Sequence, residues 1–169
     1  APSMAVNFTA SQTTFCGPQT VTFTDQSAGA TAWNWTFPGG NPATSTLQNP
    51  TVTYSTAGVY DVTLQASNAT SGGVMVKDDY MNVTAVPAAA GSIFGTTGLC
   101  QDPPNTSYSI SAISTASSYE WELSPASAGV LTPGTTNATI DWDAAFTGAC
   151  VLKVRGINSC GSGPWSPAL

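Results

Sequence analysis

The sequence predicts an all-β protein built from two tandem seven-strand β-sandwich domains. Three observations lead to this prediction. Apolar residues recur at every second position, as at Tyr60, Val62 and Leu64, which is the period of a strand with one buried face. Gly and Pro interrupt this pattern at intervals of about 8–12 residues, as they do between the short strands of sandwiches. The two halves of the chain also repeat one another.

The internal repeat is clearest in two segments of equal length. Gly58–Asn68, "GVYDVTLQASN", aligns without gaps with Gly148–Asn158, "GACVLKVRGIN", at an offset of 90 residues. Trp35 of "AWNWTF" matches Trp121 of "SYEWEL" at an offset of 86 residues. An offset that drifts slightly over so long a period indicates two copies of one domain rather than a solenoid.

The joint between the copies is the segment "AVPAAAG", residues 85–91, where Pro and small residues replace the strand pattern. We therefore predict one domain at residues 1–86 and a second at residues 91–169. Each strand is placed where alternating residues run between turn residues. The predicted strands are residues 4–9, 19–25, 31–37, 43–47, 50–54, 58–67 and 73–84, then 91–95, 105–112, 117–124, 128–132, 136–142, 149–158 and 163–168.

The composition of the chain favours an extracellular β protein. Only 7% of the 169 residues are charged, against roughly 25% in ordinary soluble proteins. Thr, Ser and Asn supply the polarity instead, and they are residues of strand surfaces and turns. A net charge of −6 with three basic residues excludes nucleic acid and anionic membranes as partners, and no apolar run reaches the length of about 18 residues that spans a bilayer. The Ala-Pro-Ser start leads us to expect a piece of a longer protein.

Aromatic residues alternate with polar ones in "WNWTF", residues 33–37. Trp35 lies on the third predicted strand, where a sandwich of this kind buries an aromatic residue against the opposing sheet, and Trp121 has the same register. We expect both side chains to lie in the core. Trp33, near the entry of its strand, and Trp165, beside two prolines near the end of the chain, are the candidate exposed aromatics for ligand binding.

Two segments of the first half resemble a known family. "WTFPGG", Trp35–Gly40, and "NPTVTYSTAGVYDVTLQASN", Asn49–Asn68, are similar to the PKD domain, whose hallmark is Trp-x-Phe-Gly-Asp-Gly followed by Asn-Pro-x-x-x-Tyr and Gly-x-Tyr-x-Val-x-Leu. The resemblance covers roughly residues 4–85 and implies an immunoglobulin-like sandwich. This chain departs from the hallmark at Pro38 and Gly39, and the Pro-Gly-Gly version resembles PKD modules of secreted proteins from Bacteroidetes.

The second half, from "AGSIFGTTGLC" to "VRGINSCGSG", is similar to the PKD-like repeats that accompany such modules. Those repeats often occur in proteins exported by type IX secretion. The resemblance therefore implies two immunoglobulin-like domains in a secreted or cell-surface protein.

The residues give little support for catalysis. The chain has no His, which removes the usual Ser and Cys triads and the commonest general base. Glu120 and Glu122 lie on one outward strand face, and Asp141 and Asp143 flank Trp142 on another, so we interpret them as solvated surface. We predict that the chain is not an enzyme and has no cofactor.

Metal binding has three candidate ligands. Asp78 and Asp79 interrupt the alternation of the last strand of the first domain, and Asp25 follows the second strand. Carboxylates of this kind suit structural calcium. The alternative is an exposed bulge that keeps an edge strand from pairing with other chains.

Four cysteines in a chain of extracellular character predict two disulfides. In a seven-strand sandwich the connection after the first strand lies at the same end as the start of the sixth strand, so we expect Cys100 to bond Cys150. In a head-to-tail pair, Cys16 and Cys160 lie at the facing ends of the two domains, so we expect them to staple the pair into one rigid rod. The alternative, Cys100–Cys160, is favoured by the joint presence of both residues in PKD-like repeats, but it would exceed the limit of roughly 7 Å between Cα atoms.

Three function classes follow from these observations. The first is a non-catalytic extracellular spacer or interaction module that holds domains apart or mediates adhesion. The second is a structural repeat of a self-assembling surface fibre, and the third is an accessory carbohydrate-binding module. The expected partners are neighbouring domains of the parent chain, extracellular protein or polysaccharide, or further copies. Six Asn-x-Ser/Thr triplets would matter only in a eukaryotic chain, and they begin at Asn7, Asn34, Asn68, Asn82, Asn105 and Asn137.

Overall fold

The computed structural model describes residues 3–99 and 105–169 of the chain. These residues form strands together with a single three-residue 3₁₀ turn, η1, at Ala126–Ala128. The chain divides into two compact units, Ala1–Ala85 and Val86–Leu169. The division falls at the start of the Pro- and Ala-rich joint, whereas the predicted domains were residues 1–86 and 91–169.

The first unit contains two sheets that enclose one core. The strands are β1 (Phe8–Ala10), β2 (Thr14–Cys16), β3 (Gln19–Asp25), β4 (Ala32–Thr36), β5 (Gly40–Asn41), β6 (Thr44–Ser45), β7 (Thr51–Tyr54), β8 (Gly58–Ser67) and β9 (Gly72–Thr84). The strand orders in the two sheets are β1-β3-β7-β5 and β2-β9-β8-β4-β6.

Alternation determines which side chains fill this core. In β3, Val21 and Phe23 are fully buried, whereas Thr20, Thr22 and Thr24 point outward. The other fully enclosed side chains come from the same alternation on both sheets, and they are Phe8, Trp35, Phe37, Val52, Tyr54, Val62, Leu64 and Met81.

Two short strands of the first unit were not predicted. β2 pairs in parallel with the end of β9, so the N-terminal segment joins one sheet at β1 and the other at β2. β5 pairs with β7, whereas β6 pairs with β4, so the predicted strand 43–47 is preceded by a segment in the opposite sheet. Strands of two or three residues carry too little alternation to be recognised from a sequence.

Gly39 and Gly40 explain why the Pro-Gly-Gly variant folds here. Gly39 has a φ of 73°, in the left-handed region that favours glycine. A Cβ at Gly39 would also meet the ring of Tyr60, and a Cβ at Gly40 would meet Val52. The backbone therefore passes close to two core side chains as it crosses between the sheets.

The second unit contains smaller sheets. The strands are β10 (Thr106–Ser109), β11 (Ser118–Ser124), β12 (Gly129–Pro133), β13 (Asn137–Trp142), β14 (Val151–Asn158) and β15 (Gly161–Ser162). The strand orders in the two sheets are β10-β13-β12 and β11-β14-β15. Its core includes Tyr108, Trp121, Ala128, Ile140, Leu152 and Val154.

Two of the seven strands predicted for the second unit are reduced. The predicted strand 91–95 is a single bridge between Phe94 and Ser109. In place of strand 163–168, β15 ends at Ser162, and Ser166 and Leu169 then make scattered backbone hydrogen bonds to β14. Pro164 and Pro167 interrupt the ladder because proline has no N–H to donate.

No segment of the described residues forms a helix with the length and apolarity that a bilayer crossing requires.

Candidate functional site

Trp35 is a core residue, as predicted. Its side chain is fully buried on β4 and pairs in register with Leu64 of β8. The ring stacks on Phe37 at a centroid distance of 5.6 Å and meets Phe8 edge-on at 5.2 Å. The indole N–H donates a hydrogen bond of 2.9 Å to the carbonyl of Leu47. The "WNWTF" segment therefore supplies two core residues, Trp35 on β4 and Phe37 directly after it.

Trp121 occupies the equivalent position in the second unit, which confirms the predicted correspondence. It pairs with Val154 of β14 as Trp35 pairs with Leu64, and only 7% of its surface is exposed. Its indole N–H finds no hydrogen-bond partner within the described part of the chain. The two tryptophans thus share a register but differ in their polar contact.

Trp33, a candidate binding aromatic, is half-buried. Its indole N–H donates a hydrogen bond of 2.7 Å to the carboxylate of Asp25. Asp25 also accepts from the backbone N–H of Ser27 at 2.9 Å and from the amide of Gln48 at 3.4 Å. Burial raises the pKa of the Asp25 carboxyl, but the hydrogen bonds from Ser27, Trp33 and Gln48 together bring that pKa below its usual value. Asp25 therefore tethers Trp33 to the end of β3.

The structure does not bring the three candidate calcium ligands together. Asp25 belongs to β3, whereas Asp78 and Asp79 belong to β9 in the other sheet. No group of three or more His, Cys, Asp or Glu residues that could hold a metal ion occurs among residues 3–99 and 105–169. The oxygens of Asp25 are already committed to the hydrogen bonds above.

Asp78 and Asp79 form the bulge that was the alternative interpretation. The register between β8 and β9 shifts between Tyr60 and Val62, opposite these two residues. Asp79 has a φ of 51°, and its backbone N–H donates to the carboxylate of Asp61 at 2.7 Å. Both aspartates are exposed. A charged bulge of this kind discourages further strand pairing along β9.

Trp165, the second candidate binding aromatic, is half-buried rather than exposed. The guanidinium of Arg155 lies over its ring at 4.4 Å from the centroid. Arg155 also forms a salt bridge of 2.7 Å with Glu120 on the neighbouring strand. A flat sugar needs an open aromatic face on which to stack, and Arg155 covers one face of this ring. This part of the sheet surface therefore carries the Arg155–Glu120 ion pair, with the ring of Trp165 packed on Arg155.

The cysteines differ from the prediction in one respect. Cys16, at the end of β2, and Cys160, in the turn before β15, are both disulfide-bonded. Cys150 has a free thiol, so the predicted Cys100–Cys150 bond is not formed. The thiol of Cys150 packs half-buried against the second core, and this burial raises its pKa. Cys100 lies outside the described residues.

A cavity in the second unit was missed by the sequence analysis. Its volume is about 510 Å³, and its lining includes Tyr108, Ile140, Trp142, Phe146, Cys150 and Leu152. Trp142 donates its indole N–H to the hydroxyl of Thr106 at 3.1 Å, so the polar end of this aromatic is already bonded. Among the described residues, Asp143 contributes a carboxylate side chain to the lining. No sequence signal marks such a cavity, because its walls come from segments far apart in the chain.

Two family models match the chain. Residues 5–73 match the PKD domain, and residues 86–169 match the PKD-like domain. No curated protein matches the sequence.

Solved structures of similar fold have little sequence in common with the chain. Domains A168-A170 of titin share 8% identity with a TM-score of 0.51, and the alignment covers 98% of this chain and 65% of that one. The ectodomain of mouse nectin-like molecule 4 shares 13% identity with a TM-score of 0.47, covering 95% and 61%. The FN1-FN3 domains of chicken CNTN1 share 13% with a TM-score of 0.47, covering 99% and 64%. The chain spans less than two thirds of each of these structures.

The titin likeness agrees with the two sandwiches described above and speaks for the fold alone. The chain is thus all-β with tandem immunoglobulin-like sandwiches, and a match to the PKD domain in its first half is followed by a match to the PKD-like domain in its second half.

Proposed function

We propose that the chain is a non-catalytic spacer and interaction module of a larger extracellular protein. It holds neighbouring domains of the parent chain apart or presents them for adhesion. Its partners are those neighbouring domains, extracellular protein or polysaccharide. The Pro38–Gly39 variant of the PKD motif supports an origin among exported proteins of Bacteroidetes.

The observation that carries this proposal is that each unit has a core of its own. Phe8, Trp35 and Leu64 belong to the first core, and Ile140 and Val154 belong to the second. A unit with a separate core can fold by itself and add a fixed length to a chain. Tandem units of this kind are suited to a spacer.

The chemistry of the chain supports an extracellular location. Cys16 and Cys160 are disulfide-bonded, and disulfides persist in oxidising compartments. The surface carries few charges, because charged residues make up only 7% of the chain. Of the two candidate aromatics for sugar binding, Trp33 is hydrogen-bonded to Asp25, and Trp165 is covered on one face by Arg155. These contacts favour the spacer over the carbohydrate-binding alternative.

We further propose that Cys16 and Cys160 bond to each other. Support comes from their shared bonded state and from the free thiol of Cys150. A link that closes a loop of more than 100 residues stabilises a fold by roughly 4–5 kcal/mol in the chain-entropy model. The same link would fix the angle between the units, so that the separation of the chain ends no longer depends on the joint at residues 85–91.

The test is the distribution of end-to-end distances in single molecules. A donor and an acceptor are attached to peptide tags at the two termini by an enzyme that does not use cysteine. We expect one narrow distribution for the oxidised protein, a broad one for Cys16→Ser, and no change for the control Cys150→Ser. A wild-type distribution as broad as that of Cys16→Ser would contradict a fixed spacer.

A further inference from the structure

The three basic residues of the chain are its complete set of cleavage sites for proteases that cut after Lys or Arg. They are Lys77, Lys153 and Arg155. We propose that each site is closed in the folded protein, so that such proteases cut only after the unit that contains the site has unfolded. The fold then protects the chain from this class of extracellular enzyme, whichever domains it is attached to.

Lys77 lies within β9, and its side chain is fixed by contacts with Phe8 and Tyr80. Its ammonium group donates a hydrogen bond of 2.7 Å to the carbonyl of Phe8. The same group lies 4.7 Å from the ring centroid of Phe8 and 4.8 Å from that of Tyr80. A protease must insert this side chain into its specificity pocket, which requires that all three contacts break. β9 would also have to leave β8, where Lys77 pairs with Val62.

Arg155 is held in the same manner on β14. Its guanidinium forms the 2.7 Å salt bridge with Glu120 and lies over the ring of Trp165. Its backbone pairs in register with Glu120 of β11. The side chain is half-buried between these two neighbours. Cleavage after Arg155 therefore requires separation of β11 from β14.

Lys153 is protected by its backbone. It pairs with Glu122 on one side of β14. On the other side, the flanking Leu152 exchanges two backbone hydrogen bonds with Leu169, at 3.0 and 3.1 Å, and the carbonyl of Val154 accepts from Ser166 at 2.8 Å. A protease binds its substrate as a free extended segment and forms strand-like hydrogen bonds to it. A strand bonded along both edges offers no such segment.

The segments that connect the strands, by contrast, have no Lys or Arg. The joint at residues 85–91 reads "AVPAAAG", and the loop at residues 143–150 reads "DAAFTGAC". These are the places where a folded protein is usually nicked. When opening is fast relative to cleavage, the rate of cutting at the three strand sites follows the population of the unfolded unit.

The experiment measures trypsin cleavage of the oxidised 169-residue protein by mass spectrometry, with increasing urea below the unfolding transition. We expect the cleavage rates at all three sites to rise with urea by the same factor as the unfolding equilibrium constant of their unit. Cleavage at any of these sites that is independent of urea would overturn the proposal.

Three variants make the test specific. Ala145→Lys places a site in the exposed loop of the second unit, and Ala145→Gln is its matched control without a site. We expect Ala145→Lys to be cut at residue 145 at least tenfold faster than at Lys153 or Arg155. Val62→Ala removes part of a side chain in the first core. It should raise the cleavage rate at Lys77 by the same factor as the unfolding equilibrium constant of the first unit, measured by denaturant unfolding, and leave the rate at Lys153 unchanged. An unchanged rate at Lys77 in Val62→Ala would contradict gating by unfolding.

Discussion

The indole N–H of Trp35 donates to the carbonyl of Leu47 across 2.9 Å. Leu47 belongs to the loop after β6, and its side chain is exposed. In the second unit the connection between β11 and β12 is the short turn η1. Trp121 has no hydrogen-bond partner for its indole N–H among the described residues. The longer loop of the first unit thus supplies a carbonyl to a buried tryptophan.

This difference predicts unequal costs for the same substitution. Trp35→Phe leaves the carbonyl of Leu47 without its donor, whereas Trp121→Phe removes an N–H that has no described partner. We expect Trp35→Phe to lower the free energy of unfolding by about 1–2 kcal/mol more than Trp121→Phe, because the first change loses a hydrogen bond worth about 0.5–1.5 kcal/mol and the second removes a buried N–H without a described partner. Urea unfolding of each variant measures this difference. Equal losses would show that the Leu47 hydrogen bond contributes nothing.

Gly39→Ala tests the close approach in the Pro-Gly-Gly turn. A Cβ there would meet the Tyr60 ring at a φ that L side chains avoid, so we expect a loss of roughly 2–4 kcal/mol in unfolding free energy from backbone strain and steric repulsion. Gly98→Ala is the matched control, because Gly98 has a similar φ of 69° and, among residues 3–99 and 105–169, nothing lies within 4 Å of its Cβ position. Thermal unfolding of both variants gives the comparison. A loss at Gly39 no larger than at Gly98 would argue against the Tyr60 contact.

Lys77→Met keeps the length of the side chain and removes its charge. The variant loses the hydrogen bond to the Phe8 carbonyl and the cation–π contacts with Phe8 and Tyr80. We expect the unfolding free energy of the first unit to fall by about 1–2 kcal/mol. Lys153→Met is the control, since no comparable contact to a ring is described for Lys153. Chemical denaturation should show the larger loss for Lys77→Met, and the reverse order would contradict this role.

The raised pKa of the Tyr54 hydroxyl predicts a loss of stability at high pH. Burial, with a smaller contribution from Tyr60, raises the pKa of its hydroxyl to about 12. A tyrosine whose pKa is higher in the folded than in the unfolded state favours folding fully below about pH 10. That contribution falls as the pH rises from about 10 to about 12. Unfolding free energies measured across this range should fall less steeply for Tyr54→Phe than for the wild type.

The same substitution has a second expected outcome at pH 7. The Tyr54 hydroxyl is buried and has no hydrogen-bond partner within the described residues, so Tyr54→Phe removes an unsatisfied polar group. We expect it to be neutral or stabilising. A loss of more than about 1 kcal/mol at pH 7 would indicate a partner for that hydroxyl.

Peptide mapping without reduction tests the cysteine assignment. We expect a peptide that joins Cys16 to Cys160 and a Cys150 thiol that can be alkylated once the protein is unfolded. In the folded protein, alkylation of Cys150 should be slow at pH 8, because burial raises the pKa of its thiol and lowers the thiolate fraction. A Cys100–Cys150 or Cys100–Cys160 peptide would show that the pairing proposed above is wrong.

Local alternation in the sequence was sufficient to predict the long strands. β3 and β8 have the predicted bounds, Gln19–Asp25 and Gly58–Ser67, because each has a run of alternating residues between turn residues. The burial of Trp35 and Trp121 followed from the same alternation and from the repeat. The Asp78–Asp79 bulge was visible as a break in the pattern.

Contacts between distant residues could not be read in this way. β2 is too short to show a period, and it forms only because β9 offers a free edge beside it. The expectation that Trp165 binds a ligand depended on its exposure. Its ring is instead covered by Arg155 on β14, which is paired with Glu120 on β11.

The sequence by itself determined the two all-β domains, their repeat and the inward faces of their strands, since these depend on the order of neighbouring residues. Tertiary structure decided that Asp25 bonds Trp33 rather than joining Asp78 and Asp79, and that Cys150 keeps a free thiol while Cys16 and Cys160 are bonded. These outcomes depend on which side chains the sheets bring within about 3 Å of one another. Hydrogen bonds and disulfides form only at such distances and angles, and sequence spacing does not specify them.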